Sequence, residues 1–392
     1  MALKNNTWKL NQWYDQDVAG NISYSGAKQL WVWGQNHGGQ LGQNQSQTKY
    51  SSPVQIPGTT WGSDIGKISL GSDAIGSIRT NGELWVLGAN VNGSLGVNNE
   101  TSYSSPVQVP GTWSYVNMGW DFSAAINTDG ELWMWGAQGA NPNGVLGQNQ
   151  GTTKYSSPVQ IPGSTWKNIA LGQVTVFATK TDGTMWAWGG QNDAGNLGLN
   201  QGGSWSQHMR SSPTQIPGTT WDRASVNSTS SHATRTDGTL WSWGINNNGQ
   251  LGLSNNTNYS SPVQVGSGTD WSVVTNGSAG STFGLKTDGT LWSWGYNVYG
   301  QLGLNTGGSG TNVNSPSQIP GTNWSNISGG SYAALARKTD GTLWSWGHNI
   351  AGTLGVNNRT SYSSPVQVPG TDWVNAIGGT NDSKSFIGIK NV

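Results

Sequence analysis

Apolar and small residues alternate in Leu291-Trp292-Ser293-Trp294-Gly295, and this pattern occurs seven times along the chain. The other copies begin at Leu30, Leu84, Leu132, Met185, Leu240 and Leu343. Successive side chains of a strand point to opposite faces, so the two Trp of each copy share one side. The second Trp is kept in every copy but one, where Leu87 replaces it. The first Trp of each copy follows the last by 54, 48, 53, 55, 51 and 52 residues. A self-similar period of about fifty residues signals a repeat architecture.

Each copy is preceded by a turn. Thr-Asp-Gly stands at Thr128, Thr181, Thr236, Thr287 and Thr339, and Thr80-Asn81-Gly82 is its variant. Asp-Gly and Asn-Gly supply the positive φ angles of a two-residue hairpin turn. Before the turn runs another strand, such as Phe283-Gly284-Leu285-Lys286. After the Trp pair come a Gly/Asn loop with Leu-Gly, then Ser-Pro and a short strand such as Val54-Gln55-Ile56. A Pro-Gly turn leads to one more strand beginning at Trp61, Trp113, Trp166, Trp221, Trp271, Trp324 or Trp373. That makes four strands per unit. The pattern predicts an all-β chain, a seven-bladed β-propeller of four-stranded blades. A lone hairpin cannot bury its apolar face, so neighbouring blades must cover one another. The expected core is built on Trp31, Trp33, Trp85, Trp133, Trp135, Trp186, Trp188, Trp241, Trp243, Trp292, Trp294, Trp344 and Trp346.

The stretch from Trp243-Gly244-Ile245-Asn246 to Gly249-Gln250-Leu251-Gly252 recurs nearly intact and resembles the regulator-of-chromosome-condensation repeat. The resemblance runs from about residue 29 to 390 and implies a seven-bladed propeller, which agrees with seven copies. It also brings several family functions into view. A GTPase exchange factor of this family has a charged face and a basic tail, which are missing here. The ultraviolet-B photoreceptor of plants has a Gly-Trp-Arg-His-Thr motif, but Gly119-Trp120 is followed by Asp121. A bacterial inhibitor of this fold binds its protein target with one face of the ring, and that precedent fits best.

The two ends of the chain complete the ring. Ile387-Gly388-Ile389-Lys390 matches Phe283-Gly284-Leu285-Lys286 and lacks a following partner strand. Its expected partner is the strand at about 29–34, so the strand at about 385–390 closes the ring without a covalent link. Residues 1–28, with Trp8, Trp13, Tyr14, Asp15 and Asp17, fit the repeat poorly and form an N-terminal arm or degenerate half-blade. Residues 29–392 form the propeller.

Composition narrows the function. The 392 residues contain 18 Lys+Arg against 18 Asp+Glu, and charged residues make up only 9%. No basic patch is expected to neutralise phosphates, so nucleic acid is not a partner in this reading. There is no Cys, hence no disulfide or thiolate site. No apolar run resembles a signal peptide or a membrane helix. His37, His208, His232 and His348 stand outside any spaced metal motif, and no nucleophile elbow or phosphate loop occurs. The reading is therefore non-enzymatic, with no cofactor and no metal.

Strand direction puts the Thr-Asp-Gly and Pro-Gly turns on one face of the ring and the Leu-Gly loops on the other. The second face varies most from blade to blade, which marks it as the binding face. Near its central mouth the expected ligand-binding residues are Asp73, Trp120, Asp121, His232 and Tyr332. In the long fourth outer loop they are Trp205, His208 and Arg210. The functional expectation is a binding or structural propeller on a phage virion surface, on tail or capsid. It would be held to other virion proteins by residues 1–28, and would contact a host surface glycan or protein without membrane insertion. The alternative is a bacterial interaction scaffold or inhibitor-like propeller, cytoplasmic or exported by a non-classical route. GTPase exchange comes last.

Overall fold

The computed structural model describes residues 27–64, 66–137, 144–151, 153–190, 192, 194–202, 209–379 and 384–391. Among these residues lie 28 strands, β1–β28 in chain order, forming seven four-stranded antiparallel sheets. Blades are numbered here by the Trp-pair copy they contain. Blade 2 is typical: β3 (Ile68–Leu70), β4 (Ala74–Ile78), β5 (Leu84–Gly88) and β6 (Tyr103–Val109) lie side by side in chain order. The Trp pair sits on the third strand of each blade, and the Ser-Ser-Pro strand is outermost.

Blade 1 is the exception that closes the ring. Its order is β2 (Tyr50–Ile56), β1 (Lys28–Gly34), β28 (Ser385–Asn391) and β27 (Trp373–Gly378). The closure strands pair antiparallel from Lys28↔Asn391 to Gly34↔Ser385, with Leu30 opposite Ile389 and Val32 opposite Ile387. The expected closure is therefore present, and β1 begins within a residue of the expected boundary. The expected arm, with Trp8, Trp13, Tyr14, Asp15 and Asp17, lies outside the described residues.

The innermost strands are β3, β7 (Trp113–Met118), β11 (Trp166–Leu171), β15 (Trp221–Val226), β19 (Trp271–Asn276), β23 (Trp324–Gly329) and β27. They surround an axial cavity of about 680 Å³. Hydroxyls latch adjacent inner strands: Ser69 Oγ accepts from Met118 N–H, Ser225 Oγ from Asn276 N–H, and Ser328 Oγ from Gly378 N–H.

The tryptophan core divides more finely than the alternation implies. The second Trp of each pair is fully enclosed: Trp33, Trp135, Trp188, Trp243, Trp294 and Trp346 are all 0% exposed. The first Trp of each pair (Trp31, Trp85, Trp133, Trp186, Trp241, Trp292 and Trp344) is only half-buried. The deeper partner is instead the Trp that opens the inner strand, such as Trp221 or Trp373 at 1%. It meets the pair edge-on, as Trp221 does with Trp241 and Trp243 at 6.2 Å each.

The buried Trp also pin blade to blade. Trp243 Nε1–H donates to Asn196 O, Trp294 to Gln250 O and Trp346 to Gln301 O, each carbonyl belonging to the Leu-Gly loop of the preceding blade. Each such loop is held by one buried Asn. Asn246 Oδ1 accepts from Leu251 N–H, and its Nδ2 donates to Asn255 O. No helix among the described residues is long and apolar enough to cross a membrane.

Candidate functional site

Backbone contacts confirm the sorting of connections onto two faces. On the turn face, Trp113 N–H bonds to Gly82 O, bringing a Pro-Gly turn against a hairpin turn. On the loop face, Ala89 N–H bonds to Asp73 O and His348 N–H to Tyr332 O, joining each Leu-Gly loop to the inner turn of its own blade.

The inner turns carry the central residues of the loop face. Trp120, in blade 3, is 42% exposed. The turns of blades 2 and 3 touch through Ser72 N–H and Gly119 O. Asp73 and Asp121 flank this contact. Burial raises the Asp73 carboxyl above its ordinary range, opposed by His37 and by a 2.9 Å hydrogen bond from Gln40 Nε2. Burial also raises Asp121, and the Asp73 charge adds to the effect. The structure thus brings Asp73, Trp120 and Asp121 together at the mouth.

A second group lies at the junction of blades 6 and 7. Tyr332 from an inner turn meets Tyr299 edge-on at 5.0 Å, and His348 lies 4.7 Å from Tyr299. Burial lowers the basicity of His348, and the Lys384 charge lowers it further. Tyr299 is 43% exposed and Ile350, on the next loop, is 65% exposed. The sequence reading named Tyr332 but missed Tyr299 and Ile350. Comparison of loop copies holds the signal for Tyr299: Gly38, Asn92, Ala194, Asn248 and Ala351 occupy its position elsewhere.

Other expected positions fall elsewhere. His232 is not at the mouth; it is 0% exposed inside β16 (Ser230–Arg235), edge-on to Trp294 of blade 6 at 6.3 Å. Its Nε2 lies 2.9 Å from Gln250 O, and burial lowers its pKa to about 4. The adjacent Ser231 is buried as well and donates to Asn196 O. The turn of blade 5 is Ser228–Thr229, three residues before Ser231 and His232. Arg210 begins β14 (Arg210–Ile216) and spends its guanidinium on Met209 O and Gln201 Oε1. It thereby ties its loop as Tyr103 does through Asn99 and Tyr362 through Asn358. Trp205 and His208 lie outside the described residues. His37 keeps company with Gln35 and His348 with the tyrosines. No group of three His, Asp or Glu able to hold a metal ion occurs among the described residues.

Comparison with known proteins places this geometry. The chain is 28% identical over 365 residues to the mitochondrial RCC1 domain-containing protein RUG3 of Arabidopsis thaliana, covering 84% of this chain and 79% of that one. It is 30% identical over 194 residues to the ultraviolet-B receptor UVR8 of the same plant, covering 49% of this chain and 43% of the receptor. It thus spans less than half of that receptor's length. Among solved structures, human WBSCR16 superposes with a TM-score of 0.77 at 20% identity, over 93% of this chain and 99% of that one. Prp20p of Saccharomyces cerevisiae, whose structure was described with its binding to Gsp1p and histones, superposes at 0.78 and 17%, over 94% and 92%. These structures share the fold. Residues 29–383 match the RCC1-like domain, and the chain belongs to that family.

Proposed function

We propose that this chain is a non-enzymatic binding propeller that takes a protein partner on its loop face. One observation carries the reading. The large apolar side chains most exposed among the described residues are Val91, Trp120, Tyr299 and Ile350, and all four stand on the loop face. Scattered apolar exposure is ordinary, but exposure confined to one face is the mark of an interface, and Tyr and Trp favour interface centres. Trp120 with Asp73 and Asp121 forms one contact, and Tyr299 with Tyr332 and Ile350 the other. Protein partners on this fold have a precedent in Prp20p, named with Gsp1p and histones. The even charge balance of this chain, 18 against 18, disfavours a highly basic partner surface as the main attraction.

Attachment to a host glycan from a virion surface remains an outcome of the test, since the relatives named above are plant, human and yeast proteins. The test compares the intact chain with a Trp120→Ala, Tyr299→Ala, Ile350→Ser variant. Cross-linking to co-purifying proteins is read beside a glycan array and a nucleotide-release assay on small GTPases. We expect a defined protein cross-linked through loop-face residues, and at least a tenfold loss of affinity in the variant at unchanged melting temperature. Such a loss corresponds to about 1.4 kcal/mol or more, the size of the truncations that matter at an interface, which cost more than about 1 kcal/mol. Equal capture by both forms, or binding only on the glycan array, overturns the reading. Accelerated nucleotide release would move the chain to the exchange-factor class.

A further inference from the structure

Blades differ in one detail of the turn face that no loop variation explains. In six blades a basic side chain lies over two Trp rings at once, placed just before the hairpin turn or, in blade 1, near the end of the closing strand β28. Arg79, Lys180, Arg235, Lys286, Lys338 and Lys390 hold their charge 4.1 to 5.6 Å from the ring centroids. A cation over an indole face is attracted by its quadrupole, and two faces double the seat. Blade 3 has Asn127 at this position.

The aromatic half of the seat is nevertheless kept in blade 3. Trp113 and Trp133 stand edge-on at 6.5 Å, against 6.2 to 6.4 Å for the same pair in blades 4 to 7. Asn127 turns back onto its own hairpin: its Oδ1 accepts from Asp129 N–H and Glu131 N–H, and its Nδ2 donates to Glu131 Oε2 at 2.7 Å. No basic side chain pairs with Glu131 among the described residues. Nor does Trp133 Nε1–H find an acceptor, although its counterparts donate to Glu83, Thr184, Thr239, Thr290 and Thr342. Blade 3 therefore keeps the ring pair, with Trp133 half-buried and Trp113 4% exposed behind it, and a carboxylate without a basic side chain.

Blade 2 shows what such a seat accepts. It carries Glu83 where blade 3 carries Glu131, and its cation is Arg79, 3.8 Å from that carboxylate. The Thr-bearing blades use Lys in three of four cases. The blade 2 pair is also 27% and 33% exposed, so the position is reachable from solvent. We propose that blade 3 seats an arginine side chain of a protein partner between Trp113 and Trp133, with its guanidinium facing Glu131. The charges are complementary, and the planar fork suits a carboxylate beside indole faces. This contact lies on the opposite face from the loop-face interface and stands independently of it.

The test is a titration of the full chain with N-acetyl-arginine methylamide, with the neutral citrulline analogue as control. The indole N–H signals of Trp113 and Trp133 are followed by NMR, assigned with Trp133→Phe. We expect both signals to move saturably with the arginine compound and to stay still with the citrulline one. Glu131→Gln should weaken the arginine response several-fold. Asn127→Lys, which supplies the residue of the sister blades, should abolish it without lowering the melting temperature. Signals that do not saturate, that respond equally to citrulline, or that respond equally in Asn127→Lys overturn the proposal and leave blade 3 as a blade with a neutral substitution.

Discussion

At the scale of single residues, His232 shows how one position acquires a property its neighbours lack. The same place in blades 4 and 6 holds Phe177 and Phe283, each edge-on to a Trp of the next blade at 5.6 and 6.2 Å. Burial holds the His232 ring neutral, with a pKa of about 4 against an ordinary 6.5. The unfolded chain takes up that proton near pH 6.5 and the folded one only near 4. Stability from this site is therefore complete above about pH 6.5 and is lost as pH falls toward 4, by up to about 3 kcal/mol. His232→Phe should flatten the melting temperature over that window. Gln250 O keeps its bonds from Thr282 and Trp294 in the variant, so no carbonyl is stranded. An unchanged acid profile would show that other groups set the acid limit. The burial of His232 was not legible in the sequence, because the wall that covers it is Trp294, supplied by another blade.

At the scale of elements, the Leu-Gly loops act as clasps. Two residues past each Leu-Gly, the chain enters the left-handed region and its N–H reaches the outer strand of the next blade. Asn44, Asn98, Asn149, Asn200, Asn305 and Asn357 do this at φ of 56 to 60°, and Asn357 closes the circle onto Ser51 O. Asn tolerates this region better than other side-chain-bearing residues. Five of these Asn also accept from a Ser hydroxyl on the clasped strand, as Asn98 does from Ser157 at 3.1 Å. Blade 5 departs from the rule: Ser254 sits at φ 59° and clasps Asn314 O. Ser254→Asn should raise stability by about 1 kcal/mol, by easing the backbone and offering Ser315 an acceptor. Chemical denaturation measures it; a neutral or negative change would mean that the clasp is limited by its partner strand. The Asn pattern was readable as loop punctuation, but its partner strand was not, since the contact spans about one repeat.

At the scale of the whole molecule, the ring depends on one non-covalent seam. Ile389 is fully buried, pairs with Leu30 on one side and Asn375 on the other, and so ties the two ends of the chain into one blade. Ile389→Pro removes a central ladder bond in β28 and should lower the unfolding free energy by about 3 kcal/mol or more. Hydrogen exchange should then show protection lost first in β1 and β28, with the opened edges promoting aggregation. If protection falls evenly around the ring instead, the seam is no weaker than any other blade. The closed ring also sets the two faces in opposition: Trp120, Tyr299 and Ile350 on the loop face, Trp113, Trp133 and Glu131 toward the turn face.

The sequence by itself determined the four strands of each blade, their order, the seven-fold count and the seam. The strands, their order and the count follow from patterns within one repeat, where alternation and Asp-Gly turns act over a few residues, and the seam follows from matching the last, unpartnered strand to the first Trp strand. It also separated the two faces, because strand direction alone sorts the connections. Only the tertiary structure decided what each side chain meets across a blade boundary. The boundary buries the second Trp of each pair and half-exposes the first, covers His232, and turns Arg210 into a loop tie. It also gathers Tyr299 and Tyr332 from different blades. Period-two alternation states which side of a strand a residue occupies. What covers that side is set by the packing of the neighbouring blade, about fifty residues away, which no local pattern encodes.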